Sequence, residues 1–148
     1  MPIKTFRGKL ADGGIETIPL QTNNGLTGYK IKKLQLIPAS PGTLTTELVA
    51  QVFSVEQTTA VTAVDFSDQT LLGVAIFAQH ENSYNSFQSV VFDNLTFNQD
   101  IYVTLQDSQN AAGGNYYLEL EQMKLDLNEQ SVATLKDIRN IEGRNDSA

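Results

Sequence analysis

Two stretches near the carboxy-terminal end alternate between apolar and polar side chains: Ile101-Tyr102-Val103-Thr104-Leu105-Gln106 and Tyr116-Tyr117-Leu118-Glu119-Leu120-Glu121. A period of two marks a strand with one buried face. A helical period would instead place Thr104, Gln106, Glu119 and Glu121 in the apolar stripe. The polar, glycine-rich segment from Asp107 to Asn115 predicts that the two stretches form a loop-closed hairpin. Beyond it, Leu118 and Leu120 are out of phase with Met123, Leu125 and Leu127, and a bulge near Glu121-Gln122 would restore a common face. The same phase change separates Tyr29 and Ile31 from Leu34 and Leu36 in the long strand Gly28 to Ile37. A one-residue bulge near Lys32-Lys33 would put all four on one face, and in both strands the alternative is a simple break in two.

The rest of the chain is mostly strand-like. Ile3 to Leu10 alternates loosely, Ala11-Asp12-Gly13-Gly14 is a turn signal, and Ile15 to Leu20 follows, so this pair also reads as a hairpin. Pro19 cannot donate to a ladder, which makes the second arm an edge strand or ends it there. Thr45 to Val55 and Thr70 to Ala78 carry apolar residues at both parities and fit a helix or a fully buried strand. Their flanking turn residues and β-branched content favour strands. Phe87 to Phe92 is a further short strand. Strands separated in this way by turn signals predict an antiparallel β-sandwich or barrel.

Only the last stretch changes period. Val132, Leu135, Ile138 and Ile141 recur at steps of three, predicting a short α-helix capped by Asn128 or Ser131 and ended by Gly143. The expected division is a β-domain over 1–128, whose residues 1–27 are an amino-terminal hairpin or edge segment, then a helix and polar tail over 129–148.

The 148 residues suffice for one domain with a substantial core, and a hydrophobic content of 41% excludes a wholly disordered chain. No apolar run approaches the roughly 20 residues of a membrane span, and the amino terminus lacks the apolar core of a signal peptide. The charge is unevenly placed. Residues 1–40 hold six basic residues (Lys4, Arg7, Lys9, Lys30, Lys32, Lys33) against Asp12 and Glu16, whereas residues 41–123 hold ten acidic residues and no Lys or Arg. Two arrangements fit this split: a basic end meets an acidic face, within one molecule or between neighbours, or the basic first strands simply lie beside the acidic ones. The net charge of -7 argues against nucleic acid as the chief partner.

Catalytic parts are scarce. The chain has one histidine, His80, in a polar loop, and no cysteine, so triads, thiolate metal sites and multi-histidine metal centres lack their ligands. No glycine-rich phosphate loop follows a strand. The acidic clusters at Asp65-Phe66-Ser67-Asp68 and Asp126-Leu127-Asn128-Glu129 do not follow the calcium-loop pattern. Neither enzymatic activity nor a cofactor is expected.

Several strings carry a family likeness: Val91-Phe92-Asp93, Phe97-Asn98-Gln99-Asp100-Ile101-Tyr102-Val103-Thr104, Asn115 to Glu121, Lys124 to Glu129 and Ala133 to Asn140, with Thr22-Asn23-Asn24-Gly25 and Val64 to Asp68 nearer the start. Together they resemble small virion proteins of tailed phages of marine bacteria. The resemblance implies a jelly-roll-like sandwich and a non-enzymatic role as a head decoration or cement protein. Such a protein binds its own copies, as a small oligomer such as a trimer, and the major capsid protein, in a particle assembled in the host cytoplasm. Lys4, Arg7, Lys9, Lys32, Lys33, Leu135, Ile138 and Ile141 are the candidate assembly contacts. Two other readings are a neck or tail component and a glycan-binding sandwich module using Tyr84, Phe87, Tyr102 or Tyr117.

Overall fold

Each alternating stretch forms a strand. The computed structural model describes residues 2–42, 44–80, 85–92 and 94–126. The expected helix, and with it Leu135, Ile138 and Ile141, lies outside the described residues. Among those described, eight strands run in chain order: β1 (Ile3–Leu10), β2 (Ile15–Ile18), β3 (Thr27–Pro38), β4 (Thr46–Phe53), β5 (Leu71–Gln79), β6 (Asn85–Val91), β7 (Ile101–Asp107) and β8 (Gly114–Lys124). They make a three-stranded sheet, β1-β8-β3, and a five-stranded sheet, β2-β7-β4-β5-β6. Every pairing between these strands is antiparallel.

The strand order is that of a jelly roll with one strand displaced. A jelly roll runs β1-β8-β3-β6 in one sheet and β2-β7-β4-β5 in the other. Here β6 stays with its hairpin neighbour β5 instead of crossing to β3. The two sheets close on Ile31, Leu34, Leu36, Leu118 and Leu120 from one side and Leu48, Ala50, Val52, Val103 and Leu105 from the other. Leu48 to Val55 and Thr70 to Ala75 are buried at both parities, and β4 is an interior strand whose outer face is roofed. Gln51, on that outer face, donates from Nε2 to the carbonyls of Val61 and Ala63 at 3.1 and 3.0 Å, holding the β4–β5 connection over the sheet.

Both predicted terminal hairpins are corrected. β1 pairs with β8 and β2 with β7, so the Asp12-Gly13-Gly14 turn carries the chain from one sheet to the other. That turn is docked on β7: Gly13 N donates to Leu105 O, Leu105 N to Gly14 O, and the Asp107 N–H to Asp12 Oδ1. Gly13 takes a φ of 80°, which a glycine reaches without strain. β7 and β8 likewise lie in opposite sheets. Their loop is gathered around the Asp107 carboxylate, which accepts N–H bonds from Gln109, Asn110 and Ala112 and a fourth from Glu47.

The bulge in β3 falls where the phase change requires it. The register against β8 shifts between Ile31 and Lys33, leaving Lys32 unpaired and Tyr29, Ile31, Leu34 and Leu36 all buried. The expected bulge in β8 is absent. Its register against β3 is regular through Glu121 and Gln122 to Lys124. Leu125 reaches the interior by following the strand's end, where its N–H bonds Leu26 O and its side chain packs on Gly28.

Candidate interaction face on the three-stranded sheet

With Tyr116, Leu118 and Leu120 turned inward, β8 presents Asn115, Tyr117, Glu119 and Glu121 on the outer face. Register then assembles four rows across the sheet. Ile3, Glu121 and Lys30 form the first, and Thr5, Glu119 and Lys33 the second. Arg7, Tyr117 and Gln35 form the third, and Lys9, Asn115 and Ile37 the fourth. The face therefore has two unlike halves.

In the first half the lysines of β3 lie beside carboxylates. Lys32, on the bulge, reaches Glu121 at 3.6 Å, and Lys33 registers with Glu119. Glu119 also accepts the Tyr117 hydroxyl at 2.8 Å. That hydrogen bond, together with the adjacent negative charge, pushes the phenol above its usual range. In the second half Arg7 and Lys9 have no carboxylate opposite them. With Gln35, Ile37, Asn115 and Tyr117 they line a shallow groove. Ile37, the next-to-last residue of β3, is 56% exposed there. A guanidinium and an ammonium about 7 Å apart along one strand, beside an aromatic ring and an exposed aliphatic side chain, suit a carboxylate-bearing protein surface.

Of the basic residues singled out in the sequence, Arg7 and Lys9 meet in this groove, while Lys32 and Lys33 belong to the balanced half. Lys4 falls at inward parity, opposite Leu120, and is exposed only because β1 is an edge strand. Gln35 and Ile37 went unnoticed in the sequence. The signal for them is the bulge itself, which turns both outward once Leu34 and Leu36 point in.

The aromatic residues proposed for glycan binding are not brought together. Tyr117 is on this face, Tyr102 is on the outer face of the five-stranded sheet and Phe87 is on β6. Tyr84 lies outside the described residues. Glu119 and Glu121, the one same-strand carboxylate pair, are engaged by Tyr117 and Lys32 respectively. Among the described residues no group of three or more His, Cys, Asp or Glu side chains is placed to hold a metal ion. The described residues contain no helix long and apolar enough to cross a membrane.

No family model and no curated protein matches the chain. Among solved structures, a chain of the acidic stable capsid structure of Helicobacter pylori bacteriophage KHP30 matches at 13% identity with a TM-score of 0.38, covering 84% of this chain and 93% of that one. A candidate glycoside hydrolase from Bacteroides thetaiotaomicron matches at 10% identity with a TM-score of 0.29, covering 80% of this chain and 41% of that one.

Proposed function

We propose that the protein is a non-enzymatic structural component of a bacteriophage particle, a capsid decoration or cement protein that binds copies of itself and the major capsid protein. The phage-like strings of the sequence supply the setting. The observation that carries the docking role is the unbalanced half of the outer face, where Arg7 and Lys9 stand exposed with no carboxylate opposite in a chain of net charge -7. Isolated basic side chains on an otherwise acidic molecule steer it toward an acidic partner and fix its orientation there. The same net charge favours solubility before assembly.

Binding to purified capsids at graded ionic strength tests this reading. Arg7→Glu with Lys9→Glu should weaken binding by about tenfold or more and flatten its salt dependence. Lys32→Glu with Lys33→Glu should do less, because those positions already sit beside Glu121 and Glu119. Unchanged capsid binding by the first double variant would remove the docking role of this face. Imaging of whole particles should place the protein on the head, and density at the tail alone would refute the decoration assignment.

A further inference from the structure

Among the described residues, four strands end the two sheets with no further strand beside them: β1 and β3 in one, β2 and β6 in the other. An open edge offers unpaired N–H and C=O groups to any other strand, and proteins usually blunt it with charge, proline, shortness or a bulge. Three of the four are blunted. β1 carries Lys4, Arg7 and Lys9; β2 has four residues and stops before Pro19; β3 carries its bulge at Lys32, the flanking lysines and Pro38. The free side of β3 is also partly occupied, since Tyr29 and Phe97 exchange backbone bonds at 2.8 and 3.0 Å.

β6 has none of these devices. Its sequence Asn-Ser-Phe-Gln-Ser-Val-Val contains no charge and no proline, and all but Val91 is exposed. Its register with β5 is unbroken from Asn85 to Val91, so no bulge twists the edge away. Phe92 N bonds Leu72 O. Antiparallel alternation then turns the backbone of Ser86, Gln88 and Val90 toward β5, and that of Phe87, Ser89 and Val91 outward. Exposed Phe87 and Val90 and the edge-to-face pair Phe66–Phe92 add apolar surface along and just beyond the strand.

We propose that this edge pairs with β6 of a second copy, antiparallel across a two-fold axis at Ser89, joining the two five-stranded sheets into one. A second copy is the occupant that the charge favours. Copies of a chain at -7 repel through most of their surface, and β6 is a strip where they can approach without placing like charges together. The strand is also complementary to itself. Centring the axis on Ser89 sets Phe87 against Val91 of the second copy twice over, an aromatic with a β-branched residue on the same face. The contact is isologous and closes at two subunits. It lies away from the Arg7–Lys9 groove, so a dimer that fails to bind capsids would retain this contact and lose the docking role.

The chain has no cysteine, so a single introduced thiol reports the register. A hydrogen-bonded antiparallel pair holds its Cα atoms about 5.5 Å apart, within disulfide range. The wild-type chain should sediment as a dimer, and Ser89→Cys should give a covalent dimer on mild oxidation, at least tenfold faster than Thr5→Cys on the β1 edge. Ser89→Pro removes an outward N–H while leaving the bonds to β5, and Ser89→Lys sets two ammonium groups face to face on the axis. Both should sediment as monomers, and Ser89→Lys serves alone should the proline variant not fold. A monomeric wild type, a dimer that survives Ser89→Lys, or equal cross-linking at Thr5 and Ser89 would each overturn the proposal.

Discussion

At the scale of single residues, a polar contact joins the two sheets beside the apolar core. Tyr116, on β8, donates its hydroxyl to Glu16 on β2. Gly8 of β1 leaves the space: a Cβ there would lie 2.9 Å from both Glu16 Oε1 and the Tyr116 ring. Burial, then the bond to Glu16 and its charge, drive the Tyr116 phenol far above its ordinary range. The stability this confers is therefore complete at neutral pH and is lost only as pH rises through the raised folded value. Tyr116→Phe should cost about 1–3 kcal/mol in chemical denaturation, and Gly8→Ala a comparable amount by displacing the same pair. The double variant should cost clearly less than the two together, because both act on one contact. Asp107 behaves oppositely. Burial raises its carboxyl, but the four backbone N–H donors from Ala112, Gln109, Glu47 and Asn110 outweigh that and hold it below the usual carboxylate range. Its contribution is present above the ordinary value of about 3.9 and is lost as pH falls through the lower folded value. Asp107→Asn should destabilise at neutral pH and give melting temperatures that fall less steeply in acid than those of the wild type.

At the scale of elements, the β3 bulge decides which side chains the sheet buries. Deleting Lys32 would restore a regular strand and force either Tyr29 with Ile31 or Leu34 with Leu36 out of the interior. Each such side chain is worth about 1.5–3 kcal/mol of burial, so circular dichroism of the deletion variant should show a largely unfolded chain at room temperature. Lys32→Ala keeps the extra residue and loses only a partly exposed ion pair, costing at most about 1 kcal/mol. The bulge was legible in the sequence because a phase change within one strand leaves few ways to bury four apolar residues together. Strand partners were not. Alternation in β7 and β8 reports one buried face each, and two such strands satisfy it equally well side by side or, as here, facing each other across the core. The same limit hid the docking groove. Arg7 and Lys9 stand out by charge, but only register shows that Lys33 lies beside Glu119 while they lie beside Tyr117 and Asn115. Leu125 defeated the phase argument in β8 because a residue past a strand's end is free to turn inward.

For the whole molecule, the displaced β6 and the placement of β8 have different effects. Moving β6 beside β5 makes β4-β5-β6 a meander of strands adjacent in the chain, and among the described residues it is the one part of the fold built from nearest neighbours. Elsewhere the sheets join distant segments, and β8 is the central strand of its sheet, holding β1 on one side and β3 on the other. Domains dominated by such non-local pairings fold in roughly milliseconds to seconds, because chain closure is needed before the contacts form. During synthesis, β1 and β3 leave the ribosome long before the strand that joins them exists. Among the described strands the meander is the unit able to form early, and it then exposes the unprotected β6 edge while the three-stranded sheet is still missing. A nascent chain of this protein is thus held open until β8 is made, and the timing of its assembly is set by that strand.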